Sequence, residues 1–154
     1  MKKFLLSGCI LATGMGLGIV LADHHAPGHD VVLPAKLSKE DMAGKIFERP
    51  DTVTKMRGDN TILDVTSLLS SDKKFASGMY KSGKVRFDAT EPYGVDEFMY
   101  FVEGGVTLTS ADGSVQVIEA GEAVTIPKEW TGVWDTDGYT KIWVIYSEDG
   151  SGLE

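Results

Sequence analysis

One carboxylate in the chain has the surroundings of a group that could do chemistry. Glu97 precedes an apolar, aromatic run, Phe98–Val102, in which Met99 and Phe101 follow it at two-residue spacing. Side chains two residues apart in a β-strand lie on one face, so we expect Glu97 to share an apolar interior with Met99 and Phe101. Burial disfavours the charged form of a carboxyl group. Glu97 is therefore a candidate general acid or base, with a purely structural carboxylate as the alternative.

Polar and aromatic side chains from neighbouring runs could contact a small polar ligand beside Glu97. The candidate ligand-binding residues offer a hydrogen bond, a stacking surface or a place on the same strand face: Glu91, Tyr93, Lys84, Met99, Trp130 and Tyr146. Trp130 has an alternative interpretation as core, because an indole at the end of a barrel also covers apolar surface. We expect Trp134 and Trp143 to be core residues.

The elements that must position these side chains are short strands. From Thr61 onward, runs rich in Val, Ile, Thr and aromatic residues recur about every ten residues and are separated by Gly or Asp-Gly, which is typical of a β-sandwich or barrel. Asp112-Gly113 and Asp137-Gly138 predict tight hairpins, and Gly104-Gly105 predicts a corner. The predicted strands are Ile62–Val65, Ala76–Tyr80, Lys84–Phe87, Phe98–Val102, Val106–Thr109, Val115–Ile118, Ala123–Ile126, Gly132–Trp134 and Lys141–Tyr146.

The last predicted strand is apolar on both faces. Ile142, Val144 and Tyr146 alternate with Trp143 and Ile145. A strand that is buried on both sides suits two packed sheets.

Two spaced motifs resemble the signature of the cupin superfamily. The spacing from Glu97 to Gly104 resembles the second half of the first cupin motif, and the spacing from Gly121 to Pro127 resembles the opening of the second. The hairpin between them and the run Trp130–Trp134 are similar to ureidoglycine aminohydrolase and ethanolamine-utilisation cupins. The resemblance covers about residues 75–147 and implies an all-β fold, a cupin-type double-stranded β-helix or jelly-roll barrel, with a short N-terminal arm.

The histidines of metal-binding cupins are absent from the matching positions. The family has a His-x-His pair before the glutamate and a later histidine, where this chain has Glu91, Tyr93 and Gly132. First-row metals favour imidazole ligands, so we expect no metal or other cofactor. A weak, oxygen-rich site for a divalent metal, formed by Glu91, Tyr93 and Glu97, is the alternative. The three histidines, His24, His25 and His29, form a cluster that we interpret as a solvated tail, with Zn²⁺ or Cu²⁺ capture as the alternative.

The N-terminus has the pattern of an export signal. Lys2 and Lys3 precede an uncharged apolar run, Phe4–Leu21, and the small Ala22 completes a cleavage site. We therefore predict an exported, periplasmic protein whose mature chain lacks cysteine, because Cys9 is the only one. A lipidated Cys9 and an uncleaved membrane anchor are the alternatives.

The length of 154 residues suits one domain. We predict a signal peptide at 1–22, an N-terminal arm at 23–60 with a short helix capped by Ser38, a barrel at 61–149 and a C-terminal tail at 150–154. The net charge of -8 argues against a nucleic-acid partner. We expect a small-molecule ligand and no membrane contact after cleavage, and the family resemblance implies a homodimer.

Three functions are compatible with these observations. The first is a metal-independent cupin that binds a carbohydrate, ureide or organic acid. The second is a hydrolase, lyase or isomerase that uses Glu97 as general acid or base. The third is a non-catalytic dimer scaffold.

Overall fold

The computed structural model describes residues 31–153. Two short helical segments precede a sheet of antiparallel strands, and the predicted all-β jelly-roll class is confirmed. In chain order, the elements are helix α1 (Lys39–Met42), a 3₁₀ helix (Lys45–Glu48), β1 (Val53–Arg57), β2 (Asn60–Leu69), β3 (Phe75–Ala89), β4 (Asp96–Ser110), β5 (Val115–Ile118), β6 (Ala123–Ile126) and β7 (Gly132–Tyr146). The unit Pro34–Glu154 contains all of them.

The last strand lies in the middle of the sheet. The strand order is β1-β2-β3-β7-β4-β5, and β6 pairs with β4. Over its length, β7 pairs with β3 on one side and with β4 on the other. Residues far apart in sequence therefore become neighbours across β4 and β7, and the candidate site forms there.

Three long strands replace six of the predicted short ones. Ala76–Tyr80 and Lys84–Phe87 both lie in β3, Phe98–Val102 and Val106–Thr109 in β4, and Gly132–Trp134 and Lys141–Tyr146 in β7. The predicted hairpin at Asp137-Gly138 is therefore wrong. The hairpin at Asp112-Gly113 is confirmed, because it joins β4 to β5, with the Ser110 amide donating to the Ser114 carbonyl at 2.8 Å.

Glycines at one level of the sheet let these strands continue. Gly138 in β7 pairs with Gly83 in β3 and with Gly105 in β4. Gly104 has a φ of 68°, and a Cβ there would overlap the carbonyl oxygen of Gly138. Irregularities in the β4–β7 pairing flank this level, and such bulges bend a strand without ending it. We call Gly83, Gly104, Gly105 and Gly138 the glycine row.

The alternation of faces shifts across the glycine row. Trp134 and Tyr139 in β7 are five residues apart, as are Phe101 and Val106 in β4, yet all four belong to one core cluster. Residues an odd number apart in a regular strand face opposite sides. The two-residue period therefore does not predict on which face of β3, β4 or β7 a side chain lies once the strand has crossed the glycine row.

The sheet begins inside the predicted arm. Strand β1 pairs with β2 from Val53 opposite Asp64 to Arg57 opposite Asn60, so the first strand precedes the predicted boundary at residue 61. Ahead of it, the predicted helix is confirmed: the Ser38 hydroxyl accepts from the Asp41 amide at 3.0 Å, and the Asp41 carboxylate accepts from the Ser38 amide at 2.9 Å.

Two apolar clusters lie on the two faces of the central strands. The larger contains Met99, Phe101, Val106, Leu108, Ile118, Ile126, Trp134 and Tyr139. The smaller combines Ile46 of the 3₁₀ helix with Val65 and Met79, and Ile142 packs against it. Trp134 and Trp143 are 2% and 6% exposed, as expected for core residues. In the last part of β7, Lys141 and Trp143 are buried on one face, Ile142 and Val144 are partly buried on the other, and Tyr146 at the end is half exposed.

Some predictions fall outside the described residues, namely the signal peptide at 1–22, Cys9 and the cluster of His24, His25 and His29. Between residues 31 and 153, no helix is long and apolar enough to cross a membrane.

Candidate functional site

A pocket of about 360 Å³ opens among β1, β2, β3, β4 and β7. Six of the seventeen residues that line it are aromatic, namely Tyr80, Phe87, Tyr93, Trp134, Tyr139 and Trp143. Charged side chains also line it, namely Asp51, Lys55, Arg57, Asp64, Glu97 and Lys141. Apolar walls with a few placed polar groups are typical of small-molecule sites.

Strand β4 places Glu97 in the interior. Met99 and Phe101 share its face and are fully buried, whereas Phe98 and Tyr100 between them are 42% and 38% exposed. Glu97 itself is 4% exposed and lines the pocket. The two-residue alternation thus places this carboxylate as expected, but its surroundings are not simply apolar.

Lys141 in β7 forms a buried ion pair with Glu97. Its Nζ lies 2.6 Å from Glu97 Oε1, and the two side chains are 6% and 5% exposed. The same Nζ is 2.9 Å from Met99 Sδ. It also lies 5.4 Å from the ring centroids of Tyr80 and Trp134 and 5.8 Å from that of Tyr139. A carboxylate and three ring faces therefore hold the ammonium.

Tyr93 engages the other oxygen of Glu97. Its hydroxyl donates to Glu97 Oε2. Burial raises the pKa of Tyr93, and the neighbouring Glu97 charge raises it further, so the phenol stays protonated as a donor. Trp130 supports Tyr93 from outside the pocket: its ring packs edge-on at 6.3 Å and its backbone carbonyl accepts from the Tyr93 amide at 3.0 Å. Both oxygens of Glu97 are therefore already engaged by protein groups.

Asp64 in β2 is a second carboxylate in the pocket. Trp143 Nε1 donates to Asp64 Oδ1 at 3.2 Å. The indole fits because Gly78 lies opposite it in β3, where a Cβ would come within 2.6 Å of the Trp143 ring. Burial raises the pKa of Asp64, although the hydrogen bond from Trp143 and the charge of Lys141 oppose this rise.

Replacing Asp64 with asparagine is expected to stabilise the protein at about pH 7. Because burial raises its pKa above the ordinary value of 3.8, the folded chain binds the proton more tightly than the unfolded chain. Asp64 therefore lowers the free energy of unfolding as the pH rises through and above 3.8. Asparagine removes the buried charge and keeps an oxygen that accepts from Trp143. Urea denaturation should show a higher midpoint at neutral pH, with the gain shrinking towards pH 3.8. Equal midpoints at neutral pH would contradict this account.

The structure brings together only some of the sequence-predicted site residues. Tyr93 and Glu97 line the pocket, Met99 contacts the Lys141 ammonium, and Trp130 packs behind Tyr93.

Lys84, Glu91 and Tyr146 do not line the pocket. Lys84 lies beyond the glycine row, so its ammonium faces solvent and pairs with Asp137 at 2.6 Å. Glu91 is exposed. Tyr146 lies in β7 on the face opposite to that of Trp143 and is 50% exposed. Sequence reasoning missed Asp64, Tyr80, Phe87, Tyr139 and Lys141, all of which line the pocket.

The donor set does not fit a first-row metal. Glu97 is engaged by an ammonium and a phenol, Glu91 is outside the pocket, and Gly132 has no side chain to offer. Within residues 31–153, no group of three or more His, Cys, Asp or Glu side chains could hold a metal ion.

Comparison with known proteins supports the architecture. Residues 69–141 match the EutQ-like cupin domain. The EutQ protein of Clostridium difficile is 22% identical, with a TM-score of 0.51 over 64% of this chain and 78% of that chain. A Pseudomonas syringae pv. tomato protein with unknown function, of the DUF861 family, is 15% identical, with a TM-score of 0.55 over 61% of this chain and 43% of that chain.

At these identities, the two solved structures show the fold alone. No curated protein matches the chain. The matched domain, the antiparallel barrel strands and the interior position of Glu97 agree, and residues 69–141 are similar to a cupin domain of the EutQ-like type.

Proposed function

We propose that this protein binds a small polar organic ligand in the pocket of its cupin barrel, without a histidine-ligated metal ion. The observation that carries the proposal is the buried ion pair between Glu97 and Lys141, with 2.6 Å between Oε1 and Nζ, in an aromatic-lined pocket.

The ion pair neutralises the charge of Glu97 within the pocket. An isolated buried carboxylate is costly, and a paired one is tolerated. Lys141 supplies the positive charge from the chain itself, so Glu97 needs no divalent ion to neutralise it. The ammonium has three donors. Two are directed to Glu97 and Met99, which leaves one for a ligand.

A second polar group in the wall has no partner. Trp134 is 2% exposed and lines the pocket, and its Nε1 has no hydrogen-bond partner among the described residues. Buried polar groups in native proteins are nearly always satisfied. A ligand that offers an acceptor to this indole would satisfy it, and the ring faces would pack against the body of the ligand.

Binding is favoured over turnover because of the state of Glu97. A general acid or base must lie within hydrogen-bond reach of the reacting group. Lys141 and Tyr93 each bind one carboxylate oxygen, so a substrate would have to share an oxygen that a buried donor already holds. A scaffold role alone would not require a pocket lined by ionisable groups.

The proposal is tested by ligand screening in the presence of a chelator. A thermal-shift panel of sugars, ureides and organic acids, followed by titration calorimetry, is expected to identify a ligand whose affinity does not change when EDTA is added. Trp134→Phe keeps a ring but removes Nε1, and is expected to weaken binding about tenfold. Tyr146→Phe removes a polar atom from an aromatic side chain outside the pocket, and this control should bind as the wild type does. A panel without any hit, or binding that EDTA abolishes, would overturn the proposal.

We also propose that the protein is exported with cleavage after Ala22, is periplasmic and is like the ureidoglycine aminohydrolase type of cupin. We further propose that it is a homodimer without nucleic-acid or membrane partners.

A further inference from the structure

We infer that the ligand is a small organic anion and that Lys55 and Arg57 on β1 select it. This inference rests on the proposed function and narrows it to one class of ligand.

Strand β1 presents its two cations to the pocket. Val53, Lys55 and Arg57 line the pocket, whereas Thr54 and Met56 between them do not, as the two-residue period requires. Every residue of β1 is exposed, and the strand is at the edge of the sheet order. Lys55 and Arg57 therefore lie at the mouth of the pocket, while Glu97 and Lys141 lie in its buried interior.

The pocket is lined by three cations and three anions, and two of the three anions are already paired within the protein. Lys141 neutralises Glu97, and the Arg49 guanidinium binds both oxygens of Asp51. Asp64 is then the one remaining negative charge in the lining, beside the two positive charges of Lys55 and Arg57. Neither cation forms an ion pair within residues 31–153. When Arg49 beside the pocket is counted with the lining residues, four positive groups face three negative ones. In a chain with a net charge of -8, this is a local excess of positive charge, which attracts anions.

The position of each charge orients the ligand. A carboxylate or phosphate at the mouth would meet the Lys55 ammonium and the Arg57 guanidinium, whose planar donors match such oxygens. The body of the ligand would then pack against Phe87 and Trp134, which stack at 6.0 Å. Its hydroxyl or amide donors would meet Asp64, which also lines the pocket. A cationic ligand would have to pass both positive charges, so the same residues act against it.

Probes of similar size and different charge test this inference by titration calorimetry. One set is glucuronate, glucose and glucosamine, and the other is benzoate, benzyl alcohol and benzylamine. Glucose 6-phosphate distinguishes a phosphate from a carboxylate. In at least one set, the anion is expected to bind about tenfold or more tightly than the neutral probe, and salt should weaken the binding of the anion alone.

A double variant assigns the selectivity to β1. Lys55→Gln with Arg57→Gln should weaken binding of the anion about tenfold or more and leave the neutral probe unchanged. Thr54→Gln, on the other face of the same strand, is the control. Circular dichroism and a urea midpoint establish that the variants are folded. Neutral probes that bind as tightly as the anions, or a double variant with unchanged anion affinity, would overturn this inference alone. If no probe of any charge binds, both it and the proposed function fail.

Discussion

Replacing Lys141 with methionine is expected to lower the free energy of unfolding by about 3 to 5 kcal/mol. Methionine has similar length, so the cage formed by Tyr80, Trp134 and Tyr139 stays filled. The change instead leaves the Glu97 carboxylate, 4% exposed, without its ammonium partner at 2.6 Å. A buried charge that loses its partner retains its desolvation penalty, which is why the loss is large. Urea denaturation followed by fluorescence measures it.

Two further variants separate burial from pairing. Adding Glu97→Gln to Lys141→Met removes both charges and is expected to restore most of the lost stability. Lys84→Met breaks an ion pair of the same 2.6 Å length whose side chains are 79% and 89% exposed, and should leave the free energy of unfolding nearly unchanged. If Lys141→Met behaves like Lys84→Met, the central ion pair does not have the role that we assign to it.

Replacing Gly104 with alanine is expected to cost at least about 3 kcal/mol and to abolish ligand binding. A Cβ at Gly104 would overlap the backbone oxygen of Gly138, so β4 and β7 would have to separate. These are the strands that carry Glu97 and Lys141. A urea midpoint and the calorimetric signal for a ligand from the screen measure the two losses.

Gly113 provides a matched control for backbone conformation. It has a φ of 86°, and nothing lies within 4 Å of a Cβ built on it. Gly113→Ala is therefore expected to lower the free energy of unfolding by only about 1 kcal/mol, the cost of a left-handed backbone conformation. This variant should bind ligand normally. Equal losses for Gly104→Ala and Gly113→Ala would mean that close packing of the glycine row does not matter.

The parts of the fold that sequence reasoning predicted depend on local pattern. The alternation of Glu97, Met99 and Phe101 predicts their common face, since a two-residue period needs no knowledge of the partner strand. The capping box at Ser38 and the hairpin at Asp112-Gly113 are equally local. Strand β1 was missed because all five of its residues are exposed, so it has no apolar alternation to detect.

The parts that were missed depend on long-range pairing. Lys141 meets Glu97 only because β7 inserts between β3 and β4, which no local spacing reveals. One signal was available: Lys141 shares its strand face with Trp143, so an inward-facing face of β7 had to carry a lysine. Lys84 was a candidate by its residue type alone, which does not show that it lies beyond the glycine row, where it pairs with Asp137.

The C-terminal end of the described chain contributes to the wall of the pocket. Gly152 and Leu153 line it together with Val53 of β1, so the first strand and the last described residues border a single opening. A bulky side chain in place of Leu153 would compete for the space through which a ligand enters. Such a substitution would therefore serve as a deliberate block, to be compared with the unsubstituted protein in binding measurements.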